Sequence, residues 1–270
     1  MKKTNKKMLL INLLSILSLL TAGITTTTAA AVNCTQAPDC ASLGYTMKAA
    51  DCTDGIKVAC PTDPNQVFCE RGIPSVPCAV GSILGGNQLC YADKLPDNVK
   101  PVGIVFDPAN RLAVALTGIC SDFSGCATML WSSSYCDTPN LDNCSVGNEL
   151  SCGTDGHTNT DAILASTCNG GIYAAGDAYI YEPAGCAKDF CKKTKWFLPS
   201  IKELVTLYNA KSAVNASLSL TGVTTLYESS YWSSTEYNSY SVWVLNMSSG
   251  SRSYFPKTGN NLYVRPVVKY

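Results

Sequence analysis

The residues of this chain best equipped for chemistry are its cysteines. Cys34, Cys40, Cys52, Cys60, Cys69, Cys78 and Cys90 form one group. Cys120, Cys126, Cys136, Cys144, Cys152, Cys168, Cys186 and Cys191 form a second, and the polar, proline-bearing stretch YADKLPDNVKP at 91–101 lies between them. Thiols at this density either pair as disulfides in an oxidising compartment or ligate metal as thiolates. A zinc site wants Cys-x-x-Cys pairs, and no two cysteines here stand that close. Redox catalysis by a thiol pair fails for want of the same motif. All fifteen are therefore disulfide candidates, and neither a metal nor a cofactor is expected. Fifteen is odd. If the eight of the second group pair among themselves, the leftover thiol lies among the first seven, either free or linking a dimer. Cys186 and Cys191 cannot bridge inside an intact helix, whose rise would set their Cα atoms roughly 8 Å apart.

Other catalytic candidates are few. His157, in DGHTNT, is the one histidine, and no Gly-x-Ser-x-Gly nucleophile elbow accompanies it. It is expected to be a loop residue with ordinary hydrogen bonds. In WFLPSIKELVTLYN, 196–209, Ser200 and Glu203 have the spacing of a capping box, and Ile201, Leu204, Val205 and Tyr208 recur at helical period. Glu203 thus has a structural role as a cap. Phosphate-binding loops of the Gly-x-Gly-x-x-Gly or Gly-x-x-x-x-Gly-Lys kind are missing. The chain is expected not to be an enzyme.

Location follows from the first residues. Lys2, Lys3, Lys6 and Lys7 precede the apolar run from Met8 to Leu20, and the small residues TTTTAAAV follow. That pattern predicts a secretory signal peptide over 1–31, cut near Ala29 to Ala31. Asn12, Ser15 and Ser18 interrupt the run, which argues against a membrane anchor, so no transmembrane segment is expected in the mature chain. The approach to Cys34 lacks the residues of a lipidation site. Loss of the four lysines takes 20 basic against 20 acidic residues to a net charge of about −4, which offers nucleic acid no basic patch. The destination is the periplasm, the cell surface or the medium.

Turn residues crowd the segment 32–95, and its apolar periodicity is weak. It reads as a small Cys-rich module stapled by disulfides, followed by a larger domain over 96–270. That domain opens with a hairpin, VGIVF and RLAVAL joined by DPAN, with Pro108 suited to the second position of a type I turn. A loop-rich region follows to about 156. TDAILAS, 160–166, and part of PAGCAKDFCKK, 183–193, are short helix candidates. Beyond the capped helix the period changes to two. YWSSTE, 231–236, reads as a strand ending in a turn, where hydroxyls bond nearby backbone. In SVWVLNM, Trp243, Leu245 and Met247 share one face. SRSYFP and NLYVRPVVK complete three strands, and Pro266 predicts that the last lies at an edge or is bulged. Trp232 and Trp243 are expected in the core, and Arg265 is expected to pair with Glu236 or Glu203.

WFLPSIKEL, YWSSTE, VWVLNM and YVRPVVKY, in that order, with PVGIVFDPANRLAVAL and GHTNTDAI upstream, resemble the Lcl C-terminal domain family of exported bacterial proteins, named for a collagen-like adhesin. The resemblance covers about 101–270. It implies an α+β class with a C-type-lectin-like fold, of the kind shared with formylglycine-generating enzymes: a small twisted antiparallel sheet with flanking helices. It also implies adhesion and binding of sulfated polysaccharide. Departures matter. EPA at 182–184 matches only the start of the calcium-site motif of C-type lectins, and WVLN is not its Trp-Asn-Asp, so no calcium is expected. The reactive cysteine pair of the formylglycine-generating enzymes lies near the end of the domain, whereas the last cysteine here is Cys191.

What remains is a surface for binding. Seven of the fourteen tyrosines lie between 227 and 270. Tyr237 and Tyr240 flank a loop, and Arg252, Tyr254, Lys257, Asn260 and Asn261 cluster near the next strand and turn. Aromatic faces among cations and hydrogen-bonding groups suit a glycan or a surface protein. The leading expectation is an exported, non-catalytic binding or adhesion protein. The alternatives are a cell-surface structural component assembled through disulfides or protein contacts, and an enzyme with an unfamiliar site.

Overall fold

The computed structural model describes residues 57–60, 63–69, 75–119 and 128–270. The expected signal peptide and most of the Cys-rich module lie outside them, as do Cys34, Cys40, Cys52, Cys120 and Cys126. Of Cys60 and Cys69 only the strands that carry them are described.

Strands β1 (Lys57–Cys60) and β2 (Asp63–Cys69) form an antiparallel hairpin. Strands β3 (Ile83–Gly85), β4 (Cys90–Tyr91), β5 (Pro101–Asp107) and β6 (Leu112–Ala115) come next, then helices α1 (Gly156–Ala165) and α2 (Ala174–Ile180). A 3-10 turn, Asp189–Cys191, leads to β7 (Trp196–Phe197), α3 (Ile201–Asn209) and α4 (Lys211–Leu220). The chain closes with β8 (Ser230–Glu236), β9 (Ser241–Asn246), β10 (Arg252–Pro256) and β11 (Val267–Lys269). Among the described residues the class is α+β with antiparallel sheets. A six-stranded sheet runs β4-β3-β5-β6-β11-β7 and a three-stranded sheet runs β10-β9-β8, where one small sheet was expected.

Alternation along the strands builds three cores. Ile104, Leu112, Val114, Phe197 and Val267 point from the six-stranded sheet toward α3, α4 and the Trp243–Leu245–Met247 face of β9. The opposite face of the three-stranded sheet, with Trp232, Val242 and Val244, packs on Ile163 of α1, the alanines of α2 and Trp131. Val102, Ala113, Ala115, Trp196 and Val268 form the third core on the outer side of the large sheet. With both faces covered, β5 and β6 are apolar nearly throughout, as a sheet buried on both sides requires.

Several expectations are corrected. The stretch 91–101 does not separate the large sheet from what precedes it: Ile83 and Leu84 pair with Ile104 and Gly103, so β3 and β4 join the strands beyond it. Strand β10 pairs with β9 as expected, but residues 262–269 do not extend that sheet beyond β10: β8 is its third strand, and β11 crosses to the large sheet between β6 and β7, an inner position. Pro266 avoids the cost of its missing donor by standing just before β11, where its carbonyl accepts Ala115 N–H at 2.9 Å. Residues 183–193 are not an α-helix, so Cys186 and Cys191 do bridge, with Cα atoms 5.5 Å apart. Cys78–Cys90, Cys136–Cys168 and Cys144–Cys152 are also paired. Each described bridge stays within its own cysteine group.

Candidate functional site

The two motif phrases meet inside the molecule. Ser200 caps α3 by accepting Glu203 N–H, and the Glu203 carboxylate accepts Ser200 N–H in return. Strand β8 bulges between Trp232 and Glu236, which turns Ser233, Ser234 and Thr235 inward where all are buried. Thr235 accepts Ile201 N–H at 3.0 Å, and Ser234 N–H donates to Pro199 O at 2.8 Å. Ser233 donates to Trp243 O at 2.6 Å. The hydroxyls therefore tie the strand to the start of a helix distant in sequence, rather than serving a strand-end turn as expected. They satisfy backbone groups that burial would otherwise leave costly.

At the end of β8 lies a buried ion pair. Glu236 and Lys257 are both fully buried and bonded to each other. Thr138 donates its hydroxyl to the same carboxylate, and Lys257 Nζ donates to Cys136 O at 2.5 Å. The ammonium also sits 4.9 Å from the centre of the Trp131 ring. Burial holds the Lys257 pKa below the ordinary lysine range, and the bond to Glu236 partly restores it. Two expectations fail here. Lys257 is not part of an exposed binding surface, because Glu236 draws it inward. Arg265 is not the partner of either carboxylate: it donates to Ala115 O and Leu116 O, while Glu236 is held by Lys257 and Glu203 by backbone N–H groups.

Four of the other expected binding residues lie on or beside the three-stranded sheet. Tyr254 of β10 stacks on Tyr237 with ring centres 4.0 Å apart, and Trp243 meets Tyr254 edge-on at 5.7 Å. Tyr254 remains 44% exposed. Tyr240, at the β8–β9 turn, is 63% exposed and packs on Tyr135, which is 49% exposed and was missed because it sits in the loop-rich region. Arg252 reaches Glu149 at 3.4 Å. Asn260 and Asn261 occupy the turn after β10 and make no hydrogen bond to these tyrosines among the described residues. Trp232 and Trp243 are buried, their indole N–H groups donating to Met129 O and Cys144 O.

A separate cleft of about 790 Å³ is lined by His157, Lys195, Phe197, Lys202, Glu203 and Lys269 among others, and by none of the expected binding residues. It is drawn from segments too far apart in sequence to have been grouped. His157 stands at the start of α1, not in a loop, and reaches Asp161 at 3.4 Å. Glu203 accepts Gly156 N–H at 3.4 Å as well as Ser200 N–H, joining the first turns of α1 and α3. A side chain at Gly156 would collide with that carboxylate. Burial outweighs these hydrogen bonds and raises the Glu203 pKa to about 7. Both its oxygens are engaged by backbone, so its geometry is that of a joint rather than a free general base. No group of cysteine, histidine and acidic side chains among the described residues has the makings of a metal site, and no described helix is long and apolar enough to cross a membrane.

Residues 159–268 match the family model of the Lcl C-terminal domain. The match runs from α1 to β11, and the motif resemblance holds for that segment. A fimbrial protein from Bacteroides ovatus ATCC 8483 shares the fold, with a TM-score of 0.50 and 15% identity over 71% of this chain. The aligned region spans 49% of that protein's chain, about half its length. No curated protein matches the sequence.

Proposed function

We propose that this is an exported, non-catalytic surface protein whose Lcl-type domain, C-type-lectin-like in fold, binds glycans, sulfated polysaccharides included, through the exposed tyrosines at the β10 edge and the β8–β9 turn of its three-stranded sheet. The observation that carries this reading is the Tyr237–Tyr254 stack, with Tyr254 44% exposed and Arg252, held by Glu149, on the same strand as Tyr254; the exposed Tyr135–Tyr240 pair adds a second aromatic surface. A sugar ring offers apolar C–H faces to an aromatic plane and hydroxyls or sulfates to neighbouring cations. An already stacked tyrosine loses little rotamer freedom on binding. The family match supports the exported setting.

The test is binding of the oxidised mature protein to a glycan array that includes sulfated polysaccharides, with a reduced sample alongside. Selective binding that is lost on reduction and in Tyr254→Ala with Tyr240→Ala and Arg252→Ala supports the reading. Binding that survives those changes but falls with Lys195→Ala and Lys202→Ala would move the site to the cleft. A blank array would favour the alternative, a structural surface component. That alternative draws on the odd number of cysteines, fifteen in all, and on the fimbrial protein that shares the fold. A non-reducing gel band of twice the chain mass that collapses with reductant supports it.

A further inference from the structure

We propose that Lys257 and Asn169 condense spontaneously into an intramolecular isopeptide bond, a covalent crosslink between the end of β10 and the α1–α2 connection. Every group such a reaction requires is assembled around the buried ion pair, and all are 1% exposed or less: Lys257, Asn169, Glu236, Thr138, Ser132 and the overlying Trp131. The nucleophile and the target amide converge on one acceptor. Lys257 Nζ donates to Cys136 O at 2.5 Å and Asn169 Nδ2 donates to the same oxygen at 3.0 Å. One carbonyl thus holds both groups, which places the amine and the amide side by side. The Cys136–Cys168 bridge fixes this arrangement, since Cys168 immediately precedes Asn169.

The surrounding bonds match the proton transfers. Thr138 Oγ1 accepts Asn169 Nδ2–H at 2.7 Å and donates to Glu236, so a hydroxyl relay connects the carboxylate to the leaving nitrogen. Ser132 donates to Asn169 Oδ1 at 3.1 Å, where negative charge develops when the amide is attacked. Water is excluded, which favours the neutral forms of a buried amine and acid over the separated charges. Burial lowers the Lys257 pKa in the direction that frees the amine.

The step balances without any co-reactant. A proton first passes from the Lys257 ammonium to Glu236, leaving an amine and a carboxylic acid. The amine lone pair attacks Asn169 Cγ, forming the Nζ–Cγ bond and pushing the carbonyl pair onto Oδ1, which Ser132 holds. Glu236 delivers its proton through Thr138 to Nδ2 and takes one from Nζ. The Oδ1 pair then re-forms the carbonyl, the Cγ–Nδ2 bond breaks, and ammonia leaves. Nothing is oxidised or reduced. The product is a secondary amide between the two side chains.

Mass spectrometry of the mature, folded protein, reduced and alkylated before digestion, tests this. The expected result is one linked peptide pair carrying Lys257 and Asn169, lighter than the two separate peptides by one ammonia, and an intact mass lower by the same amount. Lys257→Arg keeps the charge but should abolish the link. Asn169→Asp should keep the link while losing water instead of ammonia, which identifies the reacting carbon even if another variant misfolds. A folded wild-type protein that retains its full mass and yields the two peptides separately would overturn the proposal and leave the group as a buried ion-pair network only.

Discussion

The three-stranded sheet carries two regions that differ in almost every physical respect. On β10, an edge strand, Tyr254 is 44% exposed and stacks on Tyr237 beside Trp243. Lys257, three residues later, is sealed inside with Glu236. The first region rests on the core through Tyr237 and Trp243 but leaves Tyr254 open to recognition. The second removes two charges from water, an arrangement whose integrity depends on both members. A residue type, tyrosine or lysine, does not say which role it has; the packing behind it does.

The largest test of this contrast removes one charge of the buried pair. In an Asn169→Ala background, where no link can form, Lys257→Met leaves Glu236 buried without its cation and is expected to cost about 3–5 kcal/mol in urea unfolding, whereas Lys257→Met with Glu236→Leu should restore most of that. If the double variant were as unstable as the single one, the loss would lie in packing rather than in the orphaned charge. Next in size, replacing Cys136 and Cys168 by serine opens a loop of sequence separation 32 that anchors Thr138 and Asn169; about 2–5 kcal/mol is expected. The shorter Cys186–Cys191 loop, of separation 5, should cost less, and equal losses in thermal melts would argue against a loop-entropy origin.

Ser200→Ala removes the α3 cap and should lower stability by about 1 kcal/mol, read as a fall in Tm. Glu203 gives a pH signature. Its ordinary value of 4.5 rises to about 7 in the folded state, so the folded chain holds more protons than the unfolded one between these values. Its contribution is full below pH 4.5 and is lost as pH rises through about 7. Glu203→Gln should flatten that part of the stability–pH profile while leaving a side chain that still caps; an unchanged profile would assign the slope elsewhere. The smallest effect belongs to the exposed tyrosines: Tyr254→Ala and Tyr240→Ala should change the unfolding free energy by no more than about 0.5 kcal/mol while abolishing glycan capture. A large destabilisation would place them in the framework instead.

Much of the framework was legible from sequence. The hairpin around Pro108, the capping box and the two faces of β9 all rest on local rules: turn chemistry, cap spacing and a period of two. Two helices escaped notice. α2, AAGDAYI, is short, contains a glycine and has no cap side chain, and α4 follows α3 with only Ala210 between them. For the candidate site, the stacked tyrosines were readable as a cluster, but the position of Lys257 was not. Near Tyr254 in sequence, it is turned inward by Glu236 from another strand. Tyr135 and the cleft were missed for the same reason, since their neighbours come from remote segments.

By itself, the sequence determined the residues that can pair, cap, alternate or stack: the thiols, the Ser200–Glu203 box, the apolar faces and the tyrosines. These properties depend on side-chain chemistry and short-range geometry. The tertiary structure alone decided that β11 leaves its neighbours for the centre of another sheet and that YWSSTE turns its hydroxyls to the start of α3. It also decided that Lys257, Glu236, Thr138 and Asn169 share one dry pocket. Such choices depend on which distant surfaces bury one another, and hydrogen bonds and charges removed from water must find partners wherever the chain brings them.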